Sequence, residues 1–355
     1  FGEPGYEERE TLENGLKTSS KSGFTDIILN PNTNPVIDSH SSVSHIYKKT
    51  NDSATKVHVL GALTKKSMGN NMAELYDMHL AGAVAFGDYK KSLNDSNLMR
   101  ISLDYVQNFN GLILSYPSDF NLSKEGLMHE GSVSLNLGIK GIPEIAETSI
   151  LSRDLEILEY TNGRIHFPFI SCEKSLNMIR KAKKNGLKVT CGVSIAHLIF
   201  TDDSLFSYNP NFKLQPPLRS KTDREALRKG LLDGSIDLVS SMHEPVNIEY
   251  KKVEFSKAID GSISLESFFG MLNSIFTLEK TVSFLTKGKD LFNIEKSMIE
   301  IGKKASITMF CPNTTYEFKE KHILSKSKNC AFIKSSLKGK VFGIINGENT
   351  VLNSE

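Results

Sequence analysis

The sequence predicts an α/β fold: a (β/α)8 barrel of the TIM type, followed by a small β-sandwich segment at the C-terminal end. Three observations point there. Short, mostly apolar runs alternate with amphipathic helical stretches through the first 300 or so residues, as expected for strands buried on both faces of a parallel sheet. Seven such units with right-handed crossovers close most economically into a barrel. After Lys303 the pattern changes to antiparallel strands and a hairpin turn.

The elements follow in order. A helix over Glu8–Ser22 is closed by Gly23, a residue suited to the left-handed position past a helix end. Strands are predicted at Thr25–Leu29, Lys56–Leu60, Ala83–Phe86, Gly111–Ser115, Arg164–Ile170, Leu187–Val193 and Ile236–Ser241. Helices run onward from Pro143, through EKSLNMIRKAKKNG to Gly186, and through KTDREALRKGLLDGS to Gly234. The eighth strand is expected upstream of Phe1, because FGEPG suits the loop leaving a strand. Residues 1–303 form the predicted barrel. Residues 304–355 supply strands at Ala305–Phe310, Tyr316–Lys319 and Lys340–Asn346, too little for an independent core.

Composition narrows the function classes. The chain has 355 residues with 43 basic and 41 acidic side chains, so its net charge of +2 gives no electrostatic support for a nucleic-acid or acidic-membrane partner. No apolar run approaches the length of a membrane span. Cys172, Cys191, Cys311 and Cys330 include no C-x-x-C pair, so free thiols in the cytoplasm are expected.

In a parallel barrel, chemistry gathers at the C-terminal ends of the strands. The polar residues there are Asn32, Asp88, Ser115, Ser171, His197, His243 and Glu244. There is no G-x-S-x-G elbow, no H-E-x-x-H and no phosphate-cradling glycine loop. A metal-activated water is the remaining mechanism typical of barrels. Only His197 and His243 of the nine histidines fall at strand exits; His58 and His166 lie inside strands and read as structural.

Several stretches in the right order carry a resemblance. EPGYEERETLENG, PNTNPVID, AGAVAF, EGSVSLNLGIKGIPEIAE, KLQPPLRSKTDREALRKGLLDGSIDLV and SKSKN together resemble the dihydroorotase family of the amidohydrolase superfamily. The resemblance implies a zinc-bearing barrel beside a β-sandwich. It also implies an enzyme of pyrimidine synthesis that interconverts N-carbamoyl-L-aspartate and dihydroorotate by a metal-held water and an aspartate base.

Carried over position by position, that machinery is depleted. The family's metal-binding H-x-H would precede Phe1. The arginine of R-E-P-G falls on Gly2; the asparagine of P-N-T is kept as Asn32; D-D-G becomes Asp88-Tyr89-Lys90. The histidine of H-A-E-D becomes Ser115, and the ligand histidine of H-V-S becomes Phe169. His197 matches the second histidine of P-H-H-L, so it and Asp88 are the remnant metal positions. The asparagine of N-P-P-L-R becomes Gln215, with Arg219 retained; Asn32, Gln215 and Arg219 are the remnant substrate positions. In place of T-D-H-A-P-H the chain reads Ser241-Met242-His243-Glu244-Pro245-Val246, so Met242 stands where the proton-shuttling aspartate would be. General acid–base catalysis is worth about 10²–10⁴-fold.

The leading expectation is therefore a non-catalytic family member with no bound cofactor, forming a homo-oligomer and serving as a structural partner of aspartate carbamoyltransferase. One alternative is an active zinc hydrolase in which upstream histidines, His197, Asp88 and His243 or Glu244 hold one ion. Another is a ureido-acid binder using Asn32 and Arg219. For those two residues the bland readings are turn chemistry and a surface ion pair. Phe169 and Met242 are expected to fill the barrel mouth with apolar packing.

Overall fold

The computed structural model of the chain describes residues 1–353. Nine parallel strands come first: β1 (Asp26–Leu29), β2 (Lys56–Gly61), β3 (Ala85–Phe86), β4 (Ile113–Leu114), β5 (Met128–His129), β6 (Gly141–Ile142), β7 (Ile165–Phe167), β8 (Val189–Ser194) and β9 (Leu238–Ser240). Seven of them pair side by side in the order β1-β2-β3-β4-β7-β8-β9. Each overlaps a predicted strand; most are shorter than predicted, while β2 and β8 each run one residue past the predicted end, to Gly61 and Ser194. The sequence did not predict β5 and β6, which pair only with each other.

The helices between strands follow the same local rules. Thr11 caps the helix Leu12–Lys21 by accepting from the Asn14 amide. Ser220 and Asp223 form a capping box at the start of Lys221–Leu232. Past the first helix, Gly23 sits at φ +93°, where a side chain would also press on Thr308.

The sheet curls until the chain following β9 meets β1. Lys289 Nζ donates to Asp26 Oδ2 at 2.7 Å, and His58 on β2 lies 3.0 Å from the other oxygen. Burial opposes ionisation of Asp26, but these two partners hold its pKa down at about 2. Phe292 closes the lower end, buried against Leu60, Ala85 and Leu112. Ladders among the described residues join seven strands of the eight expected.

The remaining strands are antiparallel: β10 (Ser306–Glu317), β11 (Ser336–Asn346) and β12 (Asn349–Leu352). The two predicted strands at Ala305–Phe310 and Tyr316–Lys319 are one element, because β10 continues through a register irregularity between Cys311 and Thr315. This sheet is fastened to the barrel. Phe310 packs on Phe269 with ring centroids 4.7 Å apart, and Asn273 Nδ2 donates to the carbonyls of Pro312 and Lys338. Asn346 likewise donates to the carbonyls of Thr25 and Ala54.

Candidate functional site at the barrel mouth

The strand exits hold the polar side chains that the sequence singled out, but most are spent on the protein itself. Asp88, two residues past β3, accepts from the Thr64 amide at 3.0 Å and the Thr64 hydroxyl at 2.5 Å. Burial raises its pKa against those bonds. Ser115 donates to Asp154 Oδ2 at 2.5 Å, and Arg153 bonds the other oxygen of that buried acid. Each carboxylate is thus directed at a neighbouring element.

His197 has both ring nitrogens engaged. Nε2 faces the carbonyls of Pro216 and Pro217, each at 3.1 Å, which assigns the hydrogen to Nε2. Nδ1 therefore accepts from Ser194 Oγ at 2.7 Å. Burial, with the charges of Arg219 and Lys90, drives its pKa to about 4 against the pull of the two carbonyls. The ring anchors the 215–219 loop on β8 and offers no free lone pair, unlike the remnant ligand expected at this position.

Arg219 corrects the surface-ion-pair reading, because it is only 4% exposed. Its Nε donates to Ser171 Oγ at 2.9 Å, and Nη1 donates to Ile142 O at 3.0 Å and His129 Nδ1 at 3.1 Å. Nη2 lies 3.8 Å from Oε2 of buried Glu147, which also accepts from the Ser171 amide and hydroxyl. Burial, then the Arg219 charge, lowers His129 to about 4. Gln215 is half-buried at the same loop, and Asn32 is exposed with no side-chain hydrogen bond to the described residues.

Phe169 and Met242 are both buried in the main core cluster, at 7% and 6% exposure. Met242 also sits at φ +48°, a backbone conformation that aspartate and asparagine tolerate better than methionine. Next to it, His243 Nδ1 accepts from the amides of Ser264 and Leu265, and Val246 is packed in the core with its amide on Asn329.

The mouth also holds charges the sequence did not single out as a group. Lys90, after β3, donates to Glu244, after β9, at 2.5 Å. Three strands separate β3 from β9 in the sheet, so this pair crosses the opening instead of running along its rim. Tyr89, Tyr116 and Asp260 lie beside it, and Tyr116 Oη is buried without a hydrogen-bond partner. Burial pushes the Asp260 carboxyl up, with Lys90, Lys213 and Lys251 pulling it down. Lys213 Nζ is itself bound to the carbonyls of Phe255, Ser256 and Ala258. The only sequence signal for this cluster was a set of charged residues in otherwise apolar exit loops.

The fit to a divalent ion is poor. Among the described residues, no three His, Cys, Asp or Glu side chains are grouped to hold a metal. The individual donors explain why: His197 has no free lone pair, Asp88 and Asp154 are satisfied internally, and Phe169 and Met242 have no suitable donor.

A curled parallel sheet with its polar inventory at the strand exits defines a barrel of the (β/α)8 type. Solved structures share it: the L-hydantoinase of Arthrobacter aurescens superposes with a TM-score of 0.83 over 97% of this chain and 80% of its own, at 18% identity. Dihydroorotase of Saccharomyces cerevisiae in complex with 5-fluoroorotic acid gives 0.73 over 96% and 94%, at 16% identity. Residues 1–175 match the family model described as dihydro-orotase-like. The chain is 36% identical to the dihydroorotase of Pelotomaculum thermopropionicum over 99% of its own length and 84% of the relative's, and 36% identical to that of Syntrophus aciditrophicus over 96% and 81%. It belongs to the dihydroorotase family.

Proposed function

We propose that this chain is a non-catalytic dihydroorotase-like protein of pyrimidine biosynthesis, retained for its fold and acting as a structural partner of aspartate carbamoyltransferase. One observation carries the reading: at the strand exits Phe169 and Met242 are apolar and buried, and His197 and Asp88 are already bonded within the protein. A barrel with its mouth filled in this way offers packing surfaces and no reaction chamber. Its four free cysteines suit the reducing cytoplasm. No helix among the described residues is long and apolar enough to cross a membrane.

Similarity to named dihydroorotases along nearly the whole chain favours a second reading, an active hydrolase with a reduced zinc site. There Glu244 would serve as base, yet it is paired with Lys90. Assaying the full-length protein for dihydroorotate hydrolysis and carbamoyl-aspartate cyclisation, with zinc added, separates the two. The non-catalytic reading expects no turnover in either direction and co-purification with aspartate carbamoyltransferase. Zinc-dependent turnover lost on His197→Ala refutes it.

A further inference from the structure

The Lys90–Glu244 pair joins the exits of β3 and β9, and its surroundings suggest what it does. Lys90 Nζ reaches Glu244 from the far side of the sheet and sits 5.7 Å from the centre of the Tyr89 ring. Its positive charge is felt in three directions. It favours the ionised form of Asp260, and it adds to the factors lowering His197 and Lys251, for both of which burial is the largest. The bond to Glu244 places the ammonium between the exits of β3 and β9, and the side chain is only 13% exposed there.

Two acids, Glu244 and Asp260, lie beside it, and the other two lysines nearby are held elsewhere. Lys213 is bound to three backbone carbonyls, and Lys251 Nζ donates to Pro210 O. The Asp260 carboxyl is influenced by burial and by neighbouring charges, with no hydrogen bond among its causes. Of these three lysines, Lys90 is the one hydrogen-bonded to either acid, through Glu244. We infer that the Lys90 ammonium stands in for a divalent ion as an internal cation, tying β3 to β9 across the mouth. The barrel is then held together at its open end without metal. This rests on the non-catalytic reading, but it is tested by stability and not by turnover, so the two can fail separately.

The test uses the whole protein. Thermal unfolding is followed for the parent with and without a strong chelator, then for Lys90→Met, Glu244→Gln and the double variant. The parent Tm is expected to be unmoved by chelator or by added zinc. Lys90→Met, which keeps the stem but leaves Glu244 without its partner, is expected to lower Tm by about 3–5 °C. Glu244→Gln placed on top of it is expected to recover at least half of that loss, because the surplus negative charge is removed. If Lys90→Met does not fold, recovery of a folded double variant gives the same support. A chelator-induced drop in the parent Tm overturns the inference. So does a Lys90→Met variant as stable as the parent, a Glu244→Gln change that deepens its loss, or a double variant that also fails to fold.

Discussion

Met242→Asp puts back the residue that the family resemblance places at the end of β9. Met242 is 6% exposed within the main core, so losing its apolar side chain costs about 2 kcal/mol. A carboxyl placed there without a partner adds about 1–3 kcal/mol. The backbone partly offsets this: at φ +48° the aspartate relieves strain that methionine bears, worth under about 1 kcal/mol. The balance is a loss of about 3 kcal/mol. Unfolding entropy scales to roughly 0.75 kcal/mol per degree for a chain of this length, so Tm should fall by about 4 °C at neutral pH. Calorimetry or circular dichroism reads the shift, with Met242→Leu as a volume-conserving control expected to stay within about 2 °C. A Met242→Asp variant with an unchanged or higher Tm would show a solvated mouth and refute the packing argument.

Other outcomes follow from the same geometry. Arg219→Met strands Glu147 as an unpaired buried acid and should destabilise the fold by about 3–5 kcal/mol in denaturant unfolding; a loss below about 1 kcal/mol would contradict the buried network. His197, His129 and His166 are held neutral in the fold, with pKa values of about 4, 4 and 3. Unfolding lets them take up protons near 6.5, so their contribution is fully present above that pH and is lost as pH falls toward 4. Denaturation midpoints should therefore decline across that window, and His197→Gln should flatten the slope; an unchanged slope would mean His197 is charged or solvent-exposed. Exposed Asn32 makes no side-chain bond, so Asn32→Ala should leave Tm within about 1 °C. Calorimetric titration with N-carbamoyl-L-aspartate should show no heat at millimolar concentration, whereas saturable heat abolished by Asn32→Ala would establish a ureido-acid site.

The barrel was legible because its strands are apolar runs broken by glycine, proline and capping residues, a signal contained within each segment. The β5–β6 pair escaped because two-residue strands leave no periodicity to read, and β10 was divided in two by Pro312 and its neighbours. The positions lacking catalytic groups were legible by resemblance, since Phe169 and Met242 need no coordinates to be seen as poor ligands. What the retained groups do instead was not. Arg219 looked like a substrate residue until Glu147 and His129 appeared around it, and Lys90 looked like a lost glycine. Its partner Glu244 lies 154 residues away, a distance over which only the folded sheet brings charges together.

The most direct measurement is the zinc content of the full-length protein after equilibration with a modest excess of the ion and removal of whatever is loosely held. The account predicts a stoichiometry far below one ion per chain, unchanged by Phe169→Ala. A tightly held ion at full occupancy, lost on His197→Ala, would contradict it.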